Sequence, residues 1–82
     1  MSLEELRKDL DEVDDLLIDL LAQRAELVAA IWDWKQKNGL ERIDRSREQA
    51  LRERLLSRAE ASGLSREAVE AVLAQIVGKP LR

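Results

Sequence analysis

The apolar seam from Leu3 to Trp34 constrains this chain more than any other feature. Leu3, Leu6, Leu10, Val13, Leu17 and Leu20 step by three and four, and Leu27, Ile31 and Trp34 resume the rhythm. That spacing turns one face of an α-helix toward other helices. Ser2 with Glu5 forms a capping box at the start, and Asn38 with Gly39 supplies a C-cap. The predicted helix has roughly 36 residues and spans about 54 Å at 1.5 Å per residue. A compact globule of 82 residues is only about 30 Å across. The helix must therefore protrude, and a second copy of the chain is the economical cover for its seam. A long coiled coil is the alternative. It leaves the rest of the chain no reason to form short, capped, amphipathic helices.

Two such helices are legible. Asp44 or Ser46 caps the second, Ser46 and Gln49 having capping-box spacing, and Leu51, Leu55 and Ala59 form its buried face before Gly63 stops it. Ser65 caps the third, whose face is Val69, Val72, Leu73 and Ile76, and Gly78 and Pro80 end it. The expected fold is all-α: three helices per chain, one very long, in an intertwined helical-bundle homodimer. Residues 1–82 read as a single domain.

Composition narrows the chemistry. The chain has no Cys, hence no disulfide or thiolate chemistry, and no His, the commonest general base and metal ligand. Trp32 and Trp34 are its only aromatic residues. A net charge of -3 with intermixed signs argues against nucleic-acid binding. No apolar run is long enough to span a bilayer, and "MSLEELRKDL" lacks a signal-peptide pattern. No metal or cofactor is expected, and the cytosol is the expected location.

One position breaks the seam. Between Leu20 and Leu27 the rhythm calls for an apolar residue at 24, where the chain has Arg24. Lys35 continues the line Val28, Ile31, and Arg7 stands one turn before Leu10. The three cations are 17 and 11 residues apart, close to whole numbers of turns, so they share one side of the helix. Unpaired charges on a face turned toward a core are costly. Internal pairing is one explanation: Asp11 lies four residues after Arg7, and Asp14 or Glu26 lies within reach across a dimer. A polar device that fixes helix register is a second. The third is an anionic ligand, because an Arg fork matches a carboxylate. The segment "DRSRE" (44–48) favours the ligand. It adds Arg47 to the first turn of a helix, where the macrodipole disfavours a cation.

The order Arg7, Arg24, Lys35, Asp44, Arg47, Glu48, within "LRKDLDEVDDLLIDLLAQRAELVAAI" and "IDRSRE", resembles the all-helical chorismate mutases over residues 3 to 77. The resemblance implies a unimolecular Claisen-type rearrangement of chorismate to prephenate, in phenylalanine and tyrosine biosynthesis. No proton moves and no covalent intermediate forms, so the lack of His and Cys is no obstacle. Holding the substrate folded and placing a cation against the ether oxygen suffice. By similarity, Arg24 and Arg7 bind the two carboxylates, Arg7 reaching the pocket of the partner chain. Lys35 contacts the ether oxygen. Glu48, with the backbone near Asp44, holds the ring hydroxyl. Arg47 completes the polar wall, and Val28 and Ile31 form the apolar floor.

Two departures from the family stand out. Well-studied members carry a Ser and then a Gln or Glu further along the third helix. The Ser position falls at about Pro80 in this sequence, and the chain ends at Arg82 before the second. The ending "VGKPLR" resembles a short subclass that is weak alone and gains activity in complex with the first enzyme of the shikimate pathway. Trp32 and Trp34 stand where the family has small residues, and Trp34 fits the seam as a core or interface anchor. Three other functions stay open: an isochorismate pyruvate lyase on the same fold, a non-catalytic dicarboxylate-binding or regulatory helical dimer, and a purely structural helical dimer.

Overall fold

The computed structural model describes residues 1–79 and Leu81, and the described residues fold as three helices. Helix α1 spans Leu3–Lys37, α2 spans Arg45–Ala61 and α3 spans Arg66–Ile76. The expected terminator Pro80, also the position matched to the family's Ser, lies outside the described residues.

Local capping sets each boundary. The Ser2 hydroxyl accepts from the Glu5 N–H at 3.1 Å, closing the first turn of α1. Its other end is a Schellman motif. Gly39 takes φ 69°, its N–H donates to the Gln36 carbonyl, and the Leu40 N–H donates to the Lys35 carbonyl at 2.8 Å. The same motif closes α2, with Gly63 at φ 80° and Leu64 donating to Ala59. At the start of α2 the sequence left Asp44 and Ser46 as competing caps, and Asp44 is the cap. Its Oδ1 accepts from the Arg47 N–H at 3.1 Å and the Ser46 hydroxyl at 3.0 Å. Ser46 thus supports the cap and does not form a capping box with Gln49. Ser65 caps α3 through the Ala68 N–H at 3.3 Å.

Helices α2 and α3 fold back on each other as a hairpin. Leu56, Ala59 and Leu73 are its buried centre. Leu56 is fully buried although the predicted face was Leu51, Leu55 and Ala59. Leu51 and Leu55 are only half-buried, and Val72, assigned to the face of α3, is exposed. The rim carries the Arg52–Glu70 pair at 3.0 Å and Arg66 bridging Glu53 and Glu60 at 3.4 and 3.1 Å. The Glu60 and Glu53 carboxylates raise the pKa of Arg66, chiefly by accepting its hydrogen bonds, Glu60 first. Exposed pairs of this kind contribute little each.

Helix α1 gives the chain its 55 Å length, against 23 and 15 Å in the other directions. Ala25 is its one buried residue. The seam predicted to be covered is bare in the single chain: Leu3, Leu6, Leu10, Val13, Leu17, Leu20, Leu27, Ile31 and Trp34 are 45–62% exposed. These residues leave two exposed apolar stretches on one face of α1, on either side of Arg24. No helix among the described residues is long and apolar enough to cross a membrane.

Candidate active site

A cleft of about 240 Å³ opens where the C-terminal half of α1 meets the other elements. Drug-sized pockets are commonly about 300–1,000 Å³, so this one suits a small metabolite. Helix α1 contributes Arg24, Val28, Ile31 and Lys35, with Leu27 and Trp32 beside them. The α1–α2 connection contributes Arg42 and Asp44, the first turns of α2 contribute Arg47, Glu48 and Leu51, and Val77 and Gly78 close the end. Seven of the eight residues singled out in the sequence therefore meet in one place. The exception is Arg7. It lies 17 residues from Arg24, about 25 Å along a continuous helix, and does not line this cleft.

Among the described residues the two central cations are anchored on uncharged partners. Arg24 Nη1 donates to the Ile76 carbonyl at 2.7 Å, at the C-terminal end of α3. A helix C-terminus favours a cation, and the carbonyl satisfies one N–H of the fork. Lys35 Nζ donates to the Arg42 carbonyl at 3.2 Å. Both acceptors are neutral dipoles. The ion pairs among the described residues lie elsewhere, and none involves Arg7, Arg24, Lys35, Arg42 or Arg47. Internal pairing of Arg7 with Asp11 is therefore not what this structure holds. Both central side chains are only partly exposed, which limits how far water screens them.

The acidic residues do different work. The Asp44 carboxyl is held below the usual range, first by the Arg47 backbone N–H and then by the Ser46 hydroxyl, with a smaller contribution from the Lys35 charge. Its carboxylate is committed to the cap, and its carbonyl accepts from the Glu48 N–H at 3.0 Å. The half-buried Glu48 carboxylate rests against the α-carbon of Gly78, where an added Cβ would collide with it. Four cations (Arg24, Lys35, Arg42, Arg47) against two carboxylates (Asp44, Glu48) leave a net formal charge of +2 on the lining. A larger hollow of about 660 Å³ lies beside the connection and shares Lys35 and Asp44. Its remaining charges, Glu41 and Arg45, cancel, so it has no preference for an anion. Among the described residues no cluster of His, Cys, Asp or Glu could hold a metal ion.

Sequence reasoning missed Trp32, Arg42 and Gly78 as parts of the cleft. Trp32 had a usable signal, because 24, 28 and 32 follow one another at four-residue steps. Arg42 and Gly78 lie outside the helices, where periodicity carries no information. Trp34 is exposed on the seam and does not belong to a core within the chain.

The chain matches the family model for chorismate mutase type II over residues 6–79. It is 38% identical over 72 residues to the T-protein of Enterobacter agglomerans, and 36% identical over 72 residues to the T-protein of Haemophilus influenzae. Each alignment covers 88% of this chain and 19% of the relative, so the chain spans about a fifth of the length of these curated relatives. No solved structure matches it significantly.

Proposed function

Because the chain belongs to the chorismate mutase type II family, we propose that its cleft converts chorismate to prephenate, an isomerisation of aromatic amino-acid biosynthesis. The reaction breaks a C–O bond and forms a C–C bond within one molecule. Negative charge grows on the ether oxygen as the bond breaks. A site accelerates this by confining the reactive conformer and by a fixed positive charge at that oxygen. The observation that carries the reading is the anchoring of Arg24 and Lys35 on backbone carbonyls. Their donors are oriented while their charge stays available to an anionic substrate.

In this reading Arg24 takes one substrate carboxylate and Arg7 of a second copy takes the other, in a homodimer formed along the bare seam of α1. Lys35 faces the ether oxygen. Glu48 and the backbone at Asp44 hold the ring hydroxyl, Arg47 adds to the polar wall, and Val28 and Ile31 supply the apolar floor. The cytosol is its setting. Activation by the first enzyme of the shikimate pathway belongs to the same reading, on the strength of the segment "VGKPLR".

Chorismate consumption followed by ultraviolet absorbance, with the product identified, tests the proposal. Prephenate is the expected product. Salicylate from isochorismate identifies a pyruvate lyase instead. Saturable binding without turnover identifies a binding module, and neither binding nor turnover leaves a structural dimer.

Glu48 provides a separate check. Gly39, Gly63 and Gly78 all have positive φ, but among the described residues only Gly78 abuts another side chain. Gly63→Ala is expected to lose about 1–2 kcal/mol to the left-handed backbone alone and to keep its kcat. Gly78→Ala pays the same conformational cost and also displaces the Glu48 carboxylate, so its activity falls. Equal kcat in the two variants would remove Glu48 from the site.

A further inference from the structure

Arg42 meets α1 twice. Its guanidinium lies over the Trp32 ring at 4.3 Å from the centroid, and its carbonyl accepts from Lys35 Nζ at 3.2 Å. Trp32 and Lys35 are three residues apart, about one turn, and all three residues line the cleft. The ends of the α1–α2 connection are fixed by Leu40, bonded back to Lys35, and by Asp44, which caps α2. Between them, the polar and ring contacts back to α1 among the described residues all belong to Arg42. Arg42 has no carboxylate within 4.0 Å among the described residues. A planar guanidinium on an indole face has a defined orientation, and that orientation fixes the backbone to which it is attached.

We propose that Trp32 and Arg42 form a clasp that sets the position of the Lys35 ammonium in the cleft. The stack holds the connection against α1, and the Arg42 carbonyl then occupies one of the three donors of Lys35. The other two are left to face a substrate oxygen from a fixed point. Trp32 and Arg42 are positioning residues here, acting through Lys35 and not through the substrate. The proposal rests on the reading of Lys35 as the catalytic cation.

The test combines kinetics with fluorescence. In a Trp34→Phe background Trp32 is the only tryptophan, and removing the stacked guanidinium with Arg42→Ala is expected to change its emission. Unchanged emission overturns the clasp whether or not the protein turns over chorismate. In the native background, Arg42→Ala and Trp32→Ala are expected to lower kcat roughly tenfold or more, since a shift of about 1 Å can cost about 10²-fold. KM should change little, and Trp32→Phe, which keeps an aromatic face, should recover most of kcat. The deciding measurement adds Arg42→Ala to Lys35→Ala. If Arg42 acts through Lys35, the double variant is no slower than Lys35→Ala alone. A further multiplicative loss, or a raised KM at unchanged kcat, makes Arg42 a direct substrate contact and overturns the proposal. Lowered thermal stability with unchanged kcat makes the stack purely structural and overturns it too. A wild-type protein that forms no prephenate fails the parent reading, and with it the positioning role, while the emission change still reports the stack.

Discussion

Lys35→Ala is expected to lower kcat for chorismate rearrangement by roughly 10²–10³ while KM changes less. The lost interaction is one that strengthens as charge develops on the ether oxygen, so the ground state feels it weakly. The competing account treats Lys35 as a tie between α1 and the connection, through its bond to the Arg42 carbonyl. A tie alone predicts lower thermal stability and intact turnover. Two opposing effects act on the fold. Removing the ammonium breaks one hydrogen bond, a net loss of about 0.5–1.5 kcal/mol. It also relieves repulsion from the neighbouring Arg24, Arg42 and Arg47 in a lining of net positive charge. Stability should therefore change little, and the kinetic effect should dominate. Wild-type kcat in Lys35→Ala would remove Lys35 from the catalytic role even if the protein forms prephenate.

Arg7→Ala and Arg24→Ala should each be nearly inactive as homodimers, and should restore activity when unfolded together and refolded. Arg7 is placed about 25 Å along α1 from Arg24, too far to serve the same cleft within one protomer. If it serves the partner's cleft, a mixed dimer holds one pocket lacking both arginines and one pocket with both intact. Random pairing makes half of the dimers mixed, so about one quarter of wild-type activity is expected to return. The experiment presupposes a dimer, and sedimentation at micromolar concentration should give twice the 9.4 kDa chain mass. A folded monomer would remove the basis for a shared pocket. Mixed dimers that form but stay inactive would place Arg7 outside the site.

What could be read from the sequence alone is what depends on near neighbours along the chain. Ser2, Asp44 and Ser65 cap helices through N–H groups three residues ahead, and Gly39 and Gly63 end them through left-handed backbone. Such contacts need no knowledge of the rest of the molecule. The length of α1 and the misplaced Arg24 follow from periodicity, because a helix repeats its environment every three to four residues. Tertiary structure decided the rest. That Leu56, one residue beside the predicted Leu55, is the centre of the hairpin depends on how α2 is rotated against α3. That Arg24 is held by a carbonyl 52 residues away depends on where α3 stops. Arg42 on Trp32, and Glu48 against Gly78, join residues from irregular segments to residues on helices. No periodic pattern encodes those meetings, since they arise only when the helices are packed and the connecting backbone has a fixed path between them.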